Sequence, residues 1–320
     1  MMNQEFSRRH ALRAGTAAAG TVVLGSLAGC EQVEQLAGDS SDDAAESTET
    51  DETEDDEPSA PYRAWLPGPN AFGEDHYFFR YIDYDQFRAN ESNFDPDVYE
   101  RNSQAEFLSA NFDLSDGDVD GALFVGPVDG SVPAVVTGSF SASDIANYLT
   151  DNGAEADQEI GEYTVYRNSS QGVVGLTDGT MVLSGDDTVD QIRTLVETKT
   201  GELSRYQDVS DDMATLVERF GPETFAGGVT SEPTSAGDAN PDGLRFAGQV
   251  GYAYGDSVDG ATVATEIAVM FETSEDAETA EISAFTGSDT FAEYEEISST
   301  REGRMVIITG TGPTETLYAN

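Results

Sequence analysis

The sequence predicts an α+β fold: a mainly antiparallel sheet with helices packed on one face, with a duplicated strand-helix-hairpin unit as a candidate plan. Three observations predict it. Short β-type runs dominate residues 62–320. Four stretches in that region carry helical spacing of apolar residues. Strands and helices do not alternate regularly, as a parallel doubly wound sheet would require.

The strand signals come first at 77–82, an aromatic run, then at 122–126 and 134–140. Runs 173–177 and 180–183 flank Asp178-Gly179, a tight-hairpin signal. Later runs lie at 244–254, 262–272 and 304–309, with 255–260 expected as a longer hairpin loop. The first helix is expected over 141–152, with Ile145, Tyr148 and Leu149 on one face and Gly153 as its stop. The second, 186–200, repeats Val189, Ile192 and Val196. The third, 211–220, places Met213, Leu216, Val217 and Phe220 at i, i+3, i+4 and i+7 before Gly221-Pro222. The fourth, 275–286, follows Ser274 and is the weakest. Strand, helix and hairpin recur at 134–184 and 262–309. Gly179-Thr180-Met181-Val182-Leu183 matches Gly303-Arg304-Met305-Val306-Ile307. The folded region is expected as one large domain, 62–320, divisible into halves 62–205 and 206–320.

The N-terminal residues read as an address. Arg8 and Arg9, with Leu12 behind them, look like a twin-arginine export signal. A weakly apolar stretch follows, too short for the ~20 residues that a spanning helix needs. It ends Leu27-Ala28-Gly29-Cys30, which resembles a lipobox. In such sequences the cysteine becomes the first mature residue and carries the lipid. Cys30 is also the single cysteine of the chain. Residues 1–29 are therefore expected as a signal peptide and 30–61 as a lipid-anchored linker. Residues 31–61 hold thirteen acids and no Lys or Arg. Such a segment cannot bury enough apolar surface to offset its ordering entropy and is expected to stay disordered. Its reach is ~30 Å, extended further by charge repulsion.

Charge narrows the habitat. The chain has 62 Asp and Glu against 15 Lys and Arg, a formal net charge of −47, and one lysine, Lys199. So negative a chain lacks the basic footprint of a nucleic-acid binder. The acid excess, the preference for arginine and the export motifs together resemble haloarchaeal lipoproteins exported by the twin-arginine route. That resemblance implies the outer face of the cell membrane, with the membrane itself as partner through Cys30, and a molecular role still open.

Chemistry is sparse. After cleavage His76 is the single histidine, which excludes two-histidine zinc and blue-copper ligand sets. His76 reads as a strand-edge residue. No Gly-x-Ser-x-Gly elbow occurs, and Lys199 lacks the glycine of a phosphate loop. Asp116, Asp118 and Asp120, with Gly121, match the first six positions of a calcium loop, but Pro127 stands where its last ligand belongs. Calcium is the one candidate cofactor. Asn90 and Asn168 begin candidate glycosylation sequons. The expected function is a non-catalytic, lipid-anchored surface module for binding or for spacing the envelope. The alternatives are an extracellular hydrolase with paired carboxylates and a solute-binding lipoprotein of a transporter.

A folded part carrying 48 acids against 12 basic residues repels itself in dilute buffer. The Debye length falls from ~30 Å at 0.01 M salt to ~3 Å at 1 M. The thermal midpoint, followed by circular dichroism, is therefore expected to rise steeply with potassium chloride. An unchanged midpoint from millimolar to molar salt would overturn the halophilic reading.

Overall fold

The computed structural model describes residues 60–317, apart from 74, 104, 128–130, 169–171, 187, 241–243 and 289–290. Ala60, the first described residue, is buried, and the chain then turns through a 3₁₀ helix, Pro61–Trp65. The last residues assigned to the linker thus belong to the fold.

Twelve strands form one sheet. They are β1 (Phe78–Asp83), β2 (Val119–Gly126), β3 (Ala134–Gly138), β4 (Glu155–Ile160), β5 (Tyr163–Asn168), β6 (Gly172–Thr177), β7 (Thr180–Leu183), β8 (Phe225–Thr230), β9 (Gln249–Asp259), β10 (Thr262–Phe271), β11 (Glu295–Glu302) and β12 (Met305–Pro313). Their order is β11-β12-β10-β9-β8-β1-β2-β3-β7-β6-β5-β4, and every neighbouring pair is antiparallel. The helices are α1 (Tyr84–Ala89), α2 (Pro96–Ser103), α3 (Ala105–Phe112), α4 (Ala142–Asp151), α5 (Asp190–Thr200), α6 (Tyr206–Val209), α7 (Asp211–Glu218), α8 (Ser274–Thr279) and α9 (Ile282–Thr286). This is the α+β, antiparallel arrangement that the sequence predicts.

The helices cover both faces rather than one. Strand side chains alternate, and each face gathers its own core. On the front face, Ile82, Val136, Val174 and Met181 pack with Phe87, Val98, Ile145 and Leu149 from α1, α2 and α4. Ile267, Val269 and Val306 pack there with Ala277, Ile282 and Phe285 from α8 and α9. On the back face, Phe79, Tyr81, Val135 and Val182 meet Ile192, Leu195 and Val196 of α5, and Met213 and Val217 of α7. The other side of α7, Leu216 and Phe220, covers Ala253, Ala268 and Ile307. A stretch such as β6, with Val173 facing back and Val174 facing front, reads as a continuous apolar run because both sides are buried.

The duplication is visible in the topology. Outward from the β1–β8 ladder the strands run β1-β2-β3-β7-β6-β5-β4 one way and β8-β9-β10-β12-β11 the other. Helix α4 links β3 to the strands that return beside it, as α8 and α9 do for β10. Strands β7 and β12 hold equivalent places, yet their matched sequences are one residue out of step: Met181 faces front and Met305 faces back. The turns explain this. The β6–β7 turn has its glycine second, Gly179 at φ 70°, and the β11–β12 turn has its glycine first, Gly303 at φ 61°. The halves 62–205 and 206–320 share the one sheet, joined across β1 and β8.

Two expectations are corrected. Residues 255–259 continue β9 rather than form a loop, and the turn to β10 is Gly260-Ala261. Gly255-Asp256-Ser257 has turn-like composition, but Asp256 is buried against Thr265 and Ser257 donates to Glu223. Helices α1 to α3 were not expected. They are short, and α1 and α2 begin on local caps: Asp83 accepts from Gln86 N at 2.9 Å, and Asp95 accepts from Asp97 N at 2.9 Å and Val98 N at 3.2 Å. Among the described residues no helix is long and apolar enough to cross a membrane.

Among the described glycines, the one with least room for a side chain is at the end of β3. A Cβ on Gly138 would stand 2.0 Å from Asp118 O, where β2 enters its register shift. Gly138→Ala is expected to lower unfolding free energy by about 3 kcal/mol, the upper end for overpacking. Gly221→Ala, where nothing lies within 4 Å, should stay within about 0.5 kcal/mol. Equal denaturant midpoints for the two variants would contradict the close approach.

Candidate functional site

The acidic run before β2 folds as a 3₁₀ turn, Asp116–Asp118, and its carboxylates go separate ways. Asp118 Oδ2 accepts from Ser115 Oγ at 2.6 Å and from Ser115 N at 2.8 Å. Those bonds, the hydroxyl's first, hold the Asp118 carboxyl below its ordinary value. Asp116 faces Arg88, whose Nη1 donates to Asp116 O at 2.7 Å and Val119 O at 2.6 Å and lies 3.7 Å from Asp116 Oδ1. Tyr99 OH donates to Asp116 Oδ2 at 3.4 Å. Burial, with Asp116 beside it, raises the Tyr99 phenol to about 12. Asp120 lies in β2, its carboxyl raised by partial burial and by Asp85 and Asp83, with Arg88 opposing. The guanidinium of Arg88 therefore stands where the calcium expectation would place a cation. Among the described residues no three His, Cys, Asp or Glu side chains converge as a ligand set.

Asn90 is committed to structure. Its Nδ2 donates to Gln86 O at 2.9 Å and Val258 O at 3.4 Å, and its Oδ1 accepts from Gly260 N at 2.9 Å. The amide closes the end of α1 and clamps it to the β9–β10 turn, so a sugar on that nitrogen would break the clamp. Asn168 ends β5 opposite Gly172, and the rest of its sequon lies outside the described residues. Cys30, Arg8 and Arg9 also lie outside them.

His76 precedes β1 and ties that segment to β8. Its Nδ1 lies 3.3 Å from Thr230 Oγ1 and its Nε2 lies 3.4 Å from Glu232 Oε1. Thr230 Oγ1 also hydrogen-bonds to Tyr206 OH. Thr230 is buried within this network, which packs α6 and the first turn against the sheet.

The polar constellation that sequence reasoning missed lies on the front face. Registers place Phe124, Arg80, Gly227 and Tyr254 in one row across β2, β1, β8 and β9. The next row holds Ala122, Ile82, Phe225 and Asp256. Arg80 is 3% exposed and donates through Nη2 to Asn102 Oδ1 at 2.8 Å. Asn102 Nδ2 donates to Val98 O, and Tyr84 OH donates to Asn102 O. Asp256, 4% exposed, accepts from Thr265 Oγ1 at 2.5 Å, and Thr265 lies 3.3 Å from Tyr294 OH. Burial first, then the Asp256 charge, pushes the Tyr294 phenol up.

Above the Arg80 row, Phe78, Val229 and Tyr252 form a further row, all half-buried, as is Phe124. Among the described residues Phe78 and Val229 belong to neither front-face core. The arrangement offers apolar contact over a floor of buried, hydrogen-bonded polar groups. Its members lie on different strands, and their registers rather than any motif bring them together.

No protein-family model matches the chain, and no curated protein matches it. Among solved structures, crystal form IV of TP0453 is similar at a TM-score of 0.49 and 12% identity, over 82% of this chain and 98% of that one. Crystal form III gives 0.48 and 10%, over 81% and 96%. Crystal form I gives 0.46 and 12%, over 80% and 97%.

The Asn90 clamp makes a stability prediction. Asn90→Ala removes its hydrogen bonds and leaves Gly260 N without its acceptor, a cost of about 1–3 kcal/mol. Denaturant unfolding should show that loss, and the exported parent should carry no sugar at Asn90 by mass spectrometry. A glycopeptide spanning Asn90 in folded protein would contradict the clamp.

Proposed function

We propose that this chain is a non-catalytic, lipid-anchored module on the outer face of the cell membrane, exported by the twin-arginine route and held by a lipid on Cys30. The observation that carries the reading is Leu27-Ala28-Gly29-Cys30 at the end of an apolar stretch, followed directly by the acid-rich linker. The folded part serves for binding or for spacing the envelope.

The organisation of the fold supports this. Carboxylates with local partners serve as structural groups: Asp83, Asp95 and Asp118 cap turns, Asp178 accepts from Ala142 N, and Asp186 from Thr188 N. His76 is held by Thr230 and Glu232. One antiparallel sheet runs through both halves, which favours a single module over two hinged lobes.

Membrane fractionation tests the anchor. Cys30→Ser should leave the membrane fraction or accumulate as unprocessed precursor. A variant that stays in the membrane with unchanged mobility would rule the anchor out. Arg8→Lys with Arg9→Lys should stop export, and normal surface delivery of that pair would exclude the twin-arginine route.

A further inference from the structure

His76 stands at the end of a hydrogen-bond chain whose donors and acceptors fix one another. The chain starts at a carbonyl. Tyr206 OH lies 3.3 Å from Asp75 O, and a carbonyl can only accept, so the phenol gives its one proton there. The phenol keeps that proton: burial raises it first, the bond with Thr230 opposes, and Asp75 and Asp212 raise it further. Tyr206 OH also hydrogen-bonds to Thr230 Oγ1, and in this second contact the threonine is the donor. Thr230 is buried, and its hydroxyl has no other proton to give. At the 3.3 Å contact with His76 Nδ1 the hydroxyl oxygen therefore accepts, and Nδ1 carries the hydrogen.

The other ring nitrogen meets a different group. Nε2 lies 3.4 Å from Glu232 Oε1, and an ionised carboxylate also only accepts. In neutral imidazole one nitrogen donates and the other accepts. With Nδ1 already the donor, neutral His76 turns a lone pair toward the Glu232 carboxylate. The cation turns an N–H toward it and satisfies both contacts. Glu232 is exposed, so its side chain can turn away into water when the ring is neutral.

We propose that His76 is a proton-operated clasp: the imidazolium ties the segment before β1 to Glu232, at the start of the 231–248 connection between β8 and β9, and the neutral ring releases Glu232 while keeping Thr230. Glu232 faces the ring from that connection, and the Tyr206 phenol of α6 faces it through Thr230. Asp75, next to His76 in the chain, and Asp212 of α7 act on that phenol. An imidazole titrates between about pH 5 and 8, where carboxylates and phenols ordinarily do not. The clasp sits where the connection leaves the sheet: Ser231 N donates to Val250 O and Thr234 N to Gln249 O, both at 2.9 Å. Further along, Leu244 and Phe246 of the connection are buried in the front-face core. The inference is independent of the lipid anchor.

A contact made by the cation adds stability below the imidazole range and loses it as pH rises through that range. Two measurements on the full-length chain test the clasp. His10→Gln leaves His76 as the only histidine, so nitrogen-15 labelling of histidine gives one ring to follow by NMR. At pH above ~8 the neutral ring shows which nitrogen holds the proton. The clasp requires Nδ1–H. An Nε2–H ring would donate to Glu232 without any charge, and that tautomer overturns the proposal.

The second measurement is the thermal midpoint at pH ~8 and ~5.5, on either side of most of the imidazole range, in the parent and in Glu232→Gln. It is made at the lowest potassium chloride concentration at which circular dichroism shows a folded domain, because salt screens an exposed pair. A glutamine offers its amide N–H to the neutral ring and its carbonyl to the cation, so it holds both forms. The change in midpoint on acidification should be more positive by ~1–3 °C in the parent than in Glu232→Gln. Acids elsewhere act on both proteins alike and cancel in the difference. Equal changes, or a more positive one in Glu232→Gln, overturn the proposal.

Discussion

The antiparallel ladder between β1 and β8 is the contact on which the rest of the fold depends. It joins strands far apart in sequence, setting Arg80 opposite Gly227 and Ile82 opposite Phe225. Everything else is added outward from it, so closing it fixes the faces of all twelve strands. The glycines of β8 make the join possible. A Cβ on Gly227 would come within 2.7 Å of the Tyr254 ring on the front, and one on Gly228 within 2.9 Å of Phe79 on the back. Aromatic rings thus lie close against the middle strand from both sides. Non-local pairing of this kind pays loop-closure entropy before its contacts form, which places the fold among slow folders.

Legibility in the sequence followed local signal. Helices α4, α5 and α7 showed through their spacing and stops, and β6 and β7 through Asp178-Gly179. The strands that went unread lack alternation for physical reasons. Strand β4, Glu155–Ile160, is exposed on both sides as far as Glu159, so no apolar face marks it. Strand β8 carries Gly227-Gly228, which reads as a break until the rings packed on it are known. Helices α1 to α3 are short, with an aromatic stripe of Tyr84, Phe87, Tyr99 and Phe112 that resembles strand composition. The helices' division between two faces was equally hidden, because a run buried on both sides looks the same whichever side a helix takes.

Site residues were less legible than elements. Asp116, Asp118 and Asp120 matched a ligand pattern by spacing, but Arg88 from α1 reaches into that turn, and spacing carries no information about a distant guanidinium. Arg80 was read only as part of a strand run and Asp256 only as part of a loop, although both are buried. Burial distinguishes them from the solvated acids, and burial is a property of register. The two charges of one row and the next, Arg80 and Asp256, belong to strands separated by β8 alone.

Strands β4 and β11 end the sheet, and both are polar, exposed and bulged. The register shifts between Ala156 and Gln158 in β4, and between Glu295 and Ser298 in β11, where Glu296 has φ 53°. Edge strands left plain invite pairing with a neighbour. Charge alone is a protection that depends on ionic strength, because its range shrinks to ~3 Å at 1 M salt. A bulge does not depend on ionic strength: it breaks the straight row of donors and acceptors that a second chain would have to match. Neighbouring molecules can therefore touch along their edges without their sheets fusing into a continuous ribbon.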